Sequence, residues 1–149
     1  QFREVLRAQR LSVLDDLGLE KALQQLAHRS TTKLDLPCAL RLDLPPRELD
    51  PELELIVYRC VQEGITNAAK HARATRLQVE VIVSEGELVA TVTDDGVGLG
   101  ATGGQGFGLL GVRERVVAAR GAFEVGAHPG GGTRLGIRLP LPLPRGEPS

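Results

Sequence analysis

Leu77, Val79, Val81 and Val83 occupy alternate positions, and after Ser84-Glu85-Gly86-Glu87 the alternation resumes at Leu88, Ala90 and Val92. A period of two with one apolar face is a half-buried strand, and two such runs joined by a short turn containing glycine make a β-hairpin. The same pattern returns at Phe123, Val125 and Ala127, turns over His128 to Gly132, and runs on through Leu135, Ile137 and Leu139. A further alternating run, Cys38, Leu40, Leu42 and Leu44, ends at Pro45-Pro46. Strands with one apolar face must be covered, and the sequence between them supplies the cover at helical spacing. Leu19, Ala22, Leu23, Leu26 and Ala27 form one such face. Leu53, Ile56, Val57, Cys60 and Val61 form another, on a helix opened by Asp50-Pro51 and expected to reach about His71. Leu109, Val112, Val116 and Ala119 form a third, closed near Gly121. Helices laid on one face of a mostly antiparallel sheet predict an α/β two-layer sandwich.

Both ends fall outside that sandwich. Phe2, Val5, Leu6 and Leu11 read as the end of an amphipathic helix, and Leu14 to Leu19 as a break with Gly18 in a turn. Residues 1–18 are thus expected to be a helix end and linker, 19–140 the folded domain, and 141–149 a proline-rich tail. The chain of 149 residues has no methionine and is expected to be a piece of a longer protein. A net charge of −1 and 3% aromatic residues give no support to nucleic acid as a partner. No apolar run approaches the roughly 18 residues of a membrane span, so this piece is expected to make no membrane contact. Cys38 and Cys60 lack metal-ligand spacing and are read as buried, reduced thiols, which points to the cytoplasm.

Four stretches carry chemistry. Glu63, Asn67, Lys70 and His71 fall at i, i+4, i+7 and i+8 and share one helix face. A neutral oxygen and a cation on one face suit a metal–phosphate group, although a solvated Glu–Lys network has the same pattern. In Asp94-Asp95-Gly96-Val97-Gly98, the period of two aims Asp94 at the core side with Leu88, Ala90 and Val92. A carboxylate there needs a donor. The amino group of a bound adenine would serve, as would backbone amides of a simple Asp-Gly turn. Gly104-Gln105-Gly106-Phe107-Gly108-Leu109-Leu110-Gly111 runs into a helix whose exposed N–H groups favour an anion, yet any flexible lid is also glycine-rich. It is neither a Walker loop nor a dinucleotide fingerprint. Lastly, Thr133, after Gly130-Gly131-Gly132, has the inward parity of Leu135, Ile137 and Leu139. It stands either beside the same ligand as Asp94 or simply as a β-favouring residue after a turn.

In this order and spacing the four stretches resemble the GHKL superfamily, whose members share the Bergerat ATP-binding fold. Glu63 to His71 resembles its N box, Asp94 to Gly98 its G1 box, Gly106 to Gly111 its G2 box, and Gly131-Gly132-Thr133 its closing motif. Asn67 to Ala72, a short lid at about Leu99 to Gln105, Gly111 to Val116 and the Leu14 to Leu19 stretch are similar to the sensor histidine kinases that work with LuxR/NarL-type response regulators, such as the nitrate sensors.

The resemblance implies a mixed sheet and a division of labour. Asp94 would accept from adenine, supported by Thr133 through water, with Gly96 and Gly98 close to the ring. Asn67 would ligate Mg²⁺, Glu63 would hold the metal or position a water, and Lys70 and His71 would approach the phosphates. Gly106, Phe107, Gly108 and Leu109 would cradle them as the lid closes. The partners implied are a dimerisation domain bearing the phosphoacceptor histidine and a LuxR/NarL-type response regulator. His28, His71 and His128 are not in the family's acceptor context, so little turnover is expected of this chain alone. The rival readings are another GHKL ATPase, an anti-sigma-factor serine kinase, or a nucleotide-binding module without catalysis.

Overall fold

The computed structural model describes residues 12–46, 49–70, 73–97 and 107–142. Among the described residues the elements follow in the order α1 (Ser12–Lys33), β1 (Cys38–Asp43), α2 (Pro51–Lys70), β2 (Leu77–Ser84), β3 (Glu87–Asp94), α3 (Phe107–Ala118), β4 (Ala122–Ala127) and β5 (Thr133–Pro140). The strands form one sheet in the order β1-β2-β3-β5-β4. Among the described residues β1 and β2 pair in parallel and the other pairs are antiparallel. The expected α/β sandwich with a mostly antiparallel mixed sheet is therefore the observed fold.

Local chemistry sets the element ends. Glu52 N donates to Asp50 Oδ1 at 2.8 Å, so Asp50 caps α2 ahead of Pro51 at the first helical position. Glu85 and Gly86 both have positive φ, 53° and 82°, which is the two-residue turn that matches strand twist in the β2–β3 hairpin. At the end of α3 the left-handed residue is Arg120, with φ 63°. Gly121 N donates to Val116 O and Arg120 N to Val117 O, a Schellman closure. Gly121 serves a different purpose there: a Cβ on it would overlap the Arg138 carbonyl of β5.

The core lies between the helices and one face of the sheet. Leu53, Ile56, Val57, Cys60 and Val61 of α2 are buried against it, as are Val79, Val81, Leu88, Ala90, Val92, Leu135, Ile137 and Leu139 of the strands. Each fully buried Leu, Ile or Val stabilises the fold by about 1.5–3 kcal/mol before entropy is counted. Gly64 lets α2 sit directly on β3, since a Cβ there would meet Val92 at 2.8 Å.

Three expectations change. The break over Leu14 to Leu19 is confined to Gly18 (φ 83°, ψ 168°), with helix on both sides. Leu14 and Leu19 are both buried in the core, which draws that turn onto the domain. Of the two thiols, Cys60 is fully buried, but Cys38 is half-buried because β1 is an edge strand. Burial pushes both up, Cys38 to about 11 and Cys60 to about 12. Val125, in phase with Phe123 on the core side of β4, is exposed, β4 being the opposite edge of the sheet.

Candidate functional site: the end of β3 and the two helices beside it

The site grows from the last residue of β3. Asp94 pairs with Leu77 across the ladder and, as its parity requires, lies buried on the helix-covered face. Its Oδ1 accepts from Gly96 N at 2.8 Å and from Thr133 N at 3.3 Å. None of the described residues donates to Oδ2. Thr133 is the first residue of β5, and its Oγ1 is buried with no hydrogen-bond partner among the described residues. The two inward polar residues are therefore side by side. Among the described residues, one carboxylate oxygen and one hydroxyl remain there with unused hydrogen-bonding capacity. A buried orphan hydroxyl costs about 1–3 kcal/mol, so the pair fits a ligand that hydrogen-bonds there.

Gly132 makes this arrangement possible. Its φ is 93°, and a Cβ on it would overlap the carbonyl of Asp94. Only glycine allows both the backbone conformation and the approach.

Along α2, Glu63 and Asn67 are half-buried and Lys70 is exposed. The Glu63 carboxylate lies against Gly108 in the first turn of α3, where a Cβ would overlap it. That first turn has no acidic residue of its own, and the positive end of the α3 dipole favours the contact. The structure thus joins the N-box helix to the start of α3, and separately joins Asp94 to Thr133. Leu109 is buried in the core, so only its backbone faces outward from that turn. His71, Gly98, Gly106, the lid at 99–105 and the terminal segments 1–11 and 143–149 lie outside the described residues. For Phe107 only the backbone is described.

Sequence reasoning missed the role of Asp95. Its carboxylate accepts from Thr75 N at 2.8 Å, from Arg76 N at 3.1 Å and from the Thr75 hydroxyl, with the Arg76 guanidinium at 3.8 Å. The Thr75 hydroxyl and amide, followed by the Arg76 amide, hold the exposed carboxyl down at about 2. Parity alone signalled that Asp95 faces away from Asp94; its partner, 20 residues earlier, has no local signature.

Among the described residues no three His, Cys, Asp or Glu side chains converge as a metal site. A phosphate-bound Mg²⁺ needs only one or two protein oxygens, and the Glu63–Asn67 face has that donor set. No helix among the described residues is long and apolar enough to cross a membrane.

A buried carboxylate at a strand end, beside a helix start that meets the Glu63 side chain, is an arrangement that suits a nucleotide. Residues 52–143 match the family described as histidine kinase-, DNA gyrase B-, and HSP90-like ATPase, and the chain belongs to it. The oxygen sensor histidine kinase NreB of Staphylococcus carnosus is 30% identical over 135 residues, 89% of this chain and 39% of that protein. The sensor histidine kinase ComP of Bacillus subtilis is 32% identical over 143 residues, 93% of this chain and 19% of that protein. The chain thus spans well under half the length of either. Among solved structures, the histidine kinase domain of the blue-light activated histidine kinase of Erythrobacter litoralis aligns with a TM-score of 0.67 at 26% identity, over 83% of this chain and 61% of that one. The ATP binding domain of PrrB from Mycobacterium tuberculosis aligns with a TM-score of 0.60 at 26% identity, over 84% and 93%. Within the family the chain is a catalytic ATP-binding domain of the histidine kinase type.

Proposed function

We propose that this domain donates the γ-phosphoryl group of ATP to a histidine on a dimerisation domain outside residues 1–149, and that the phosphoryl group passes on to an aspartate of a LuxR/NarL-type response regulator. The observation that carries the reading is the Asp94–Thr133 pair: a buried carboxylate and an unpartnered hydroxyl, side by side where the resemblance puts adenine. The kinase names of the relatives and the similarity of residues 67–72 and 111–116 to the LuxR/NarL-linked group support the rest.

Phosphoryl transfer needs positioning and charge neutralisation rather than covalent chemistry from the protein. Asp94 Oδ2 accepts the adenine amino group and orients the base. The Thr133 hydroxyl supports it through a water, and Gly96 and Gly98 leave room for the ring. Asn67 would hold Mg²⁺, with Glu63 helping to hold it or positioning a water, and the ion would neutralise charge on the phosphates. Lys70 and His71 would approach the phosphates, and the amides of Gly106, Phe107, Gly108 and Leu109 would cradle them. The acceptor histidine and the base beside it come from the dimerisation domain, so residues 19–140 alone bind ATP with little turnover. Residues 1–18 would join the two domains, and 141–149 are the proline-rich C-terminal stretch. This domain works in the cytoplasm, whether or not its parent is anchored to a membrane.

The test is to mix the domain with a dimerisation-helix fragment of its parent and ATP. Acid-labile phosphohistidine on the fragment supports the proposal. Phosphoserine would indicate an anti-sigma-factor-type kinase, and nucleotide binding without transfer a non-catalytic module.

A further inference from the structure

The last ladder pair of β3 is Leu77 with Asp94, so Asp95 has no strand partner. The recognition carboxylate therefore sits where a strand normally frays. Two contacts hold this end instead. On one side Gly132 closes on the Asp94 carbonyl and the Asp95 Cα. On the other, the Asp95 carboxylate gathers the Thr75 amide, the Thr75 hydroxyl and the Arg76 amide.

The 75–76 segment is itself anchored at both ends. Ala74 N donates to Ala68 O at the C-terminal end of α2, and Leu77 N donates to Pro37 O ahead of β1. The clamp thus ties the strand end that carries Asp94 to the helix that carries Asn67 and Lys70. Its outer side opens into a cavity of about 440 Å³ lined by Arg76, Gln78, Thr93 and His128, among others, on the sheet face away from the helices. A truncated Asp95 or Thr75 would face solvent there, not core.

We propose that Asp95, through Thr75, is a positioning residue that fixes the Asp94 carboxylate for recognition of the nucleotide base, and so sets the preference of the site for adenine over guanine. The inference rests on the reading of Asp94 as the adenine acceptor. A carboxylate discriminates an amino group from a carbonyl only while it stays in line with the base edge. Loosening it therefore weakens adenine nucleotides and leaves guanine nucleotides, which never used that hydrogen bond, where they were.

The experiment is calorimetric titration of ADP and GDP into the protein and its Asp95→Ala, Asp95→Asn, Thr75→Val, Thr75→Ser and Asp94→Asn variants, each with a melting curve. The expected result for Asp95→Ala and Thr75→Val is an ADP affinity lower by about tenfold, the weakening of one charge-assisted hydrogen bond, with GDP affinity unchanged. Thr75→Ser, which keeps the hydroxyl, restores the preference. Equal losses for ADP and GDP, or an unchanged ADP affinity in folded Asp95→Ala and Thr75→Val, would overturn the clamp. Should Asp95→Ala fail to fold, Asp95→Asn and Thr75→Val decide in the same way. Asp94→Asn separates the two layers. If it abolishes the adenine preference while the clamp variants keep it, only the clamp is wrong. If it leaves the preference intact, the reading of Asp94 is wrong and the clamp falls with it.

Discussion

The backbone N–H of Thr133 donates to Asp94 Oδ1 across 39 positions of chain, at 3.3 Å. The bond joins the start of β5 to the end of β3 and sets two inward polar residues side by side. Oδ1 accepts from Gly96 N and Thr133 N; among the described residues nothing donates to Oδ2.

That division predicts the behaviour of Asp94→Asn. An asparagine keeps an oxygen for the two backbone donors, so the fold and its circular dichroism should be unchanged. Its amide NH₂ replaces Oδ2 and meets the adenine amino group donor to donor. ATP affinity should fall by about 1.5–3 kcal/mol, roughly 10- to 150-fold, measured by calorimetry. Equal affinities would remove Asp94 from the base site.

Thr133→Val separates binding from stability. The Thr133 hydroxyl is buried without a partner among the described residues, and Val matches its shape. Losing an unpaired buried hydroxyl should raise stability without nucleotide by about 1 kcal/mol, or a few degrees in Tm. Nucleotide affinity should fall, so ADP should raise the melting temperature of the variant less than that of the parent. A variant that melts lower without nucleotide would mean that the hydroxyl is already bonded in the free protein.

Two glycine-to-alanine changes should differ sharply. In Gly132→Ala the new Cβ strikes the Asp94 backbone at a residue with φ 93°, and neither side can yield cheaply. A loss of about 2–4 kcal/mol in denaturant-measured stability is expected from the combined clash and strain. In Gly108→Ala the new Cβ strikes only the end of the Glu63 side chain, which can swing away. Stability should change by less than about 1 kcal/mol. The Mg²⁺ enhancement of ATP binding should drop, because Glu63 no longer lies where the helices meet. Similar destabilisation by both would contradict the geometry of the α2–α3 contact.

Much of this was legible in the sequence because the signals are local. Alternation fixed the β2–β3 hairpin and aimed Asp94 and Thr133 inward, and Asp50-Pro51 marked the start of α2. The same alternation could not tell that β1 and β4 are sheet edges, which leaves Cys38 half-buried and Val125 exposed. Edge position is a property of strand order, which is decided by long-range pairing. Glycine positions were visible, but their purposes were not. Gly64 clears Val92, Gly121 clears Arg138 and Gly132 clears Asp94, each a contact between segments distant in sequence. Asp95 carried no reading of its own for the same reason, since Thr75 reaches it only once β2 and β3 are paired.

Asp95 also predicts how the fold responds to acid. Its carboxyl titrates at about 2 in the folded protein, held down first by the Thr75 hydroxyl and then by the Thr75 and Arg76 amides, against an unfolded value of about 3.8. A folded value below the unfolded one means that the unfolded chain takes up the proton first as pH falls. The stabilisation from Asp95 is therefore complete above about pH 4 and lost progressively as pH falls toward about 2. Asp95→Asn cannot titrate, so it should be less stable than the parent at pH 6 and converge on it near pH 2. Urea midpoints measured at intervals from pH 6 to pH 2 provide the check. A gap between parent and variant that stays constant over that range would show that the carboxylate form contributes nothing, and that the Thr75 contact is equally good to a neutral acceptor.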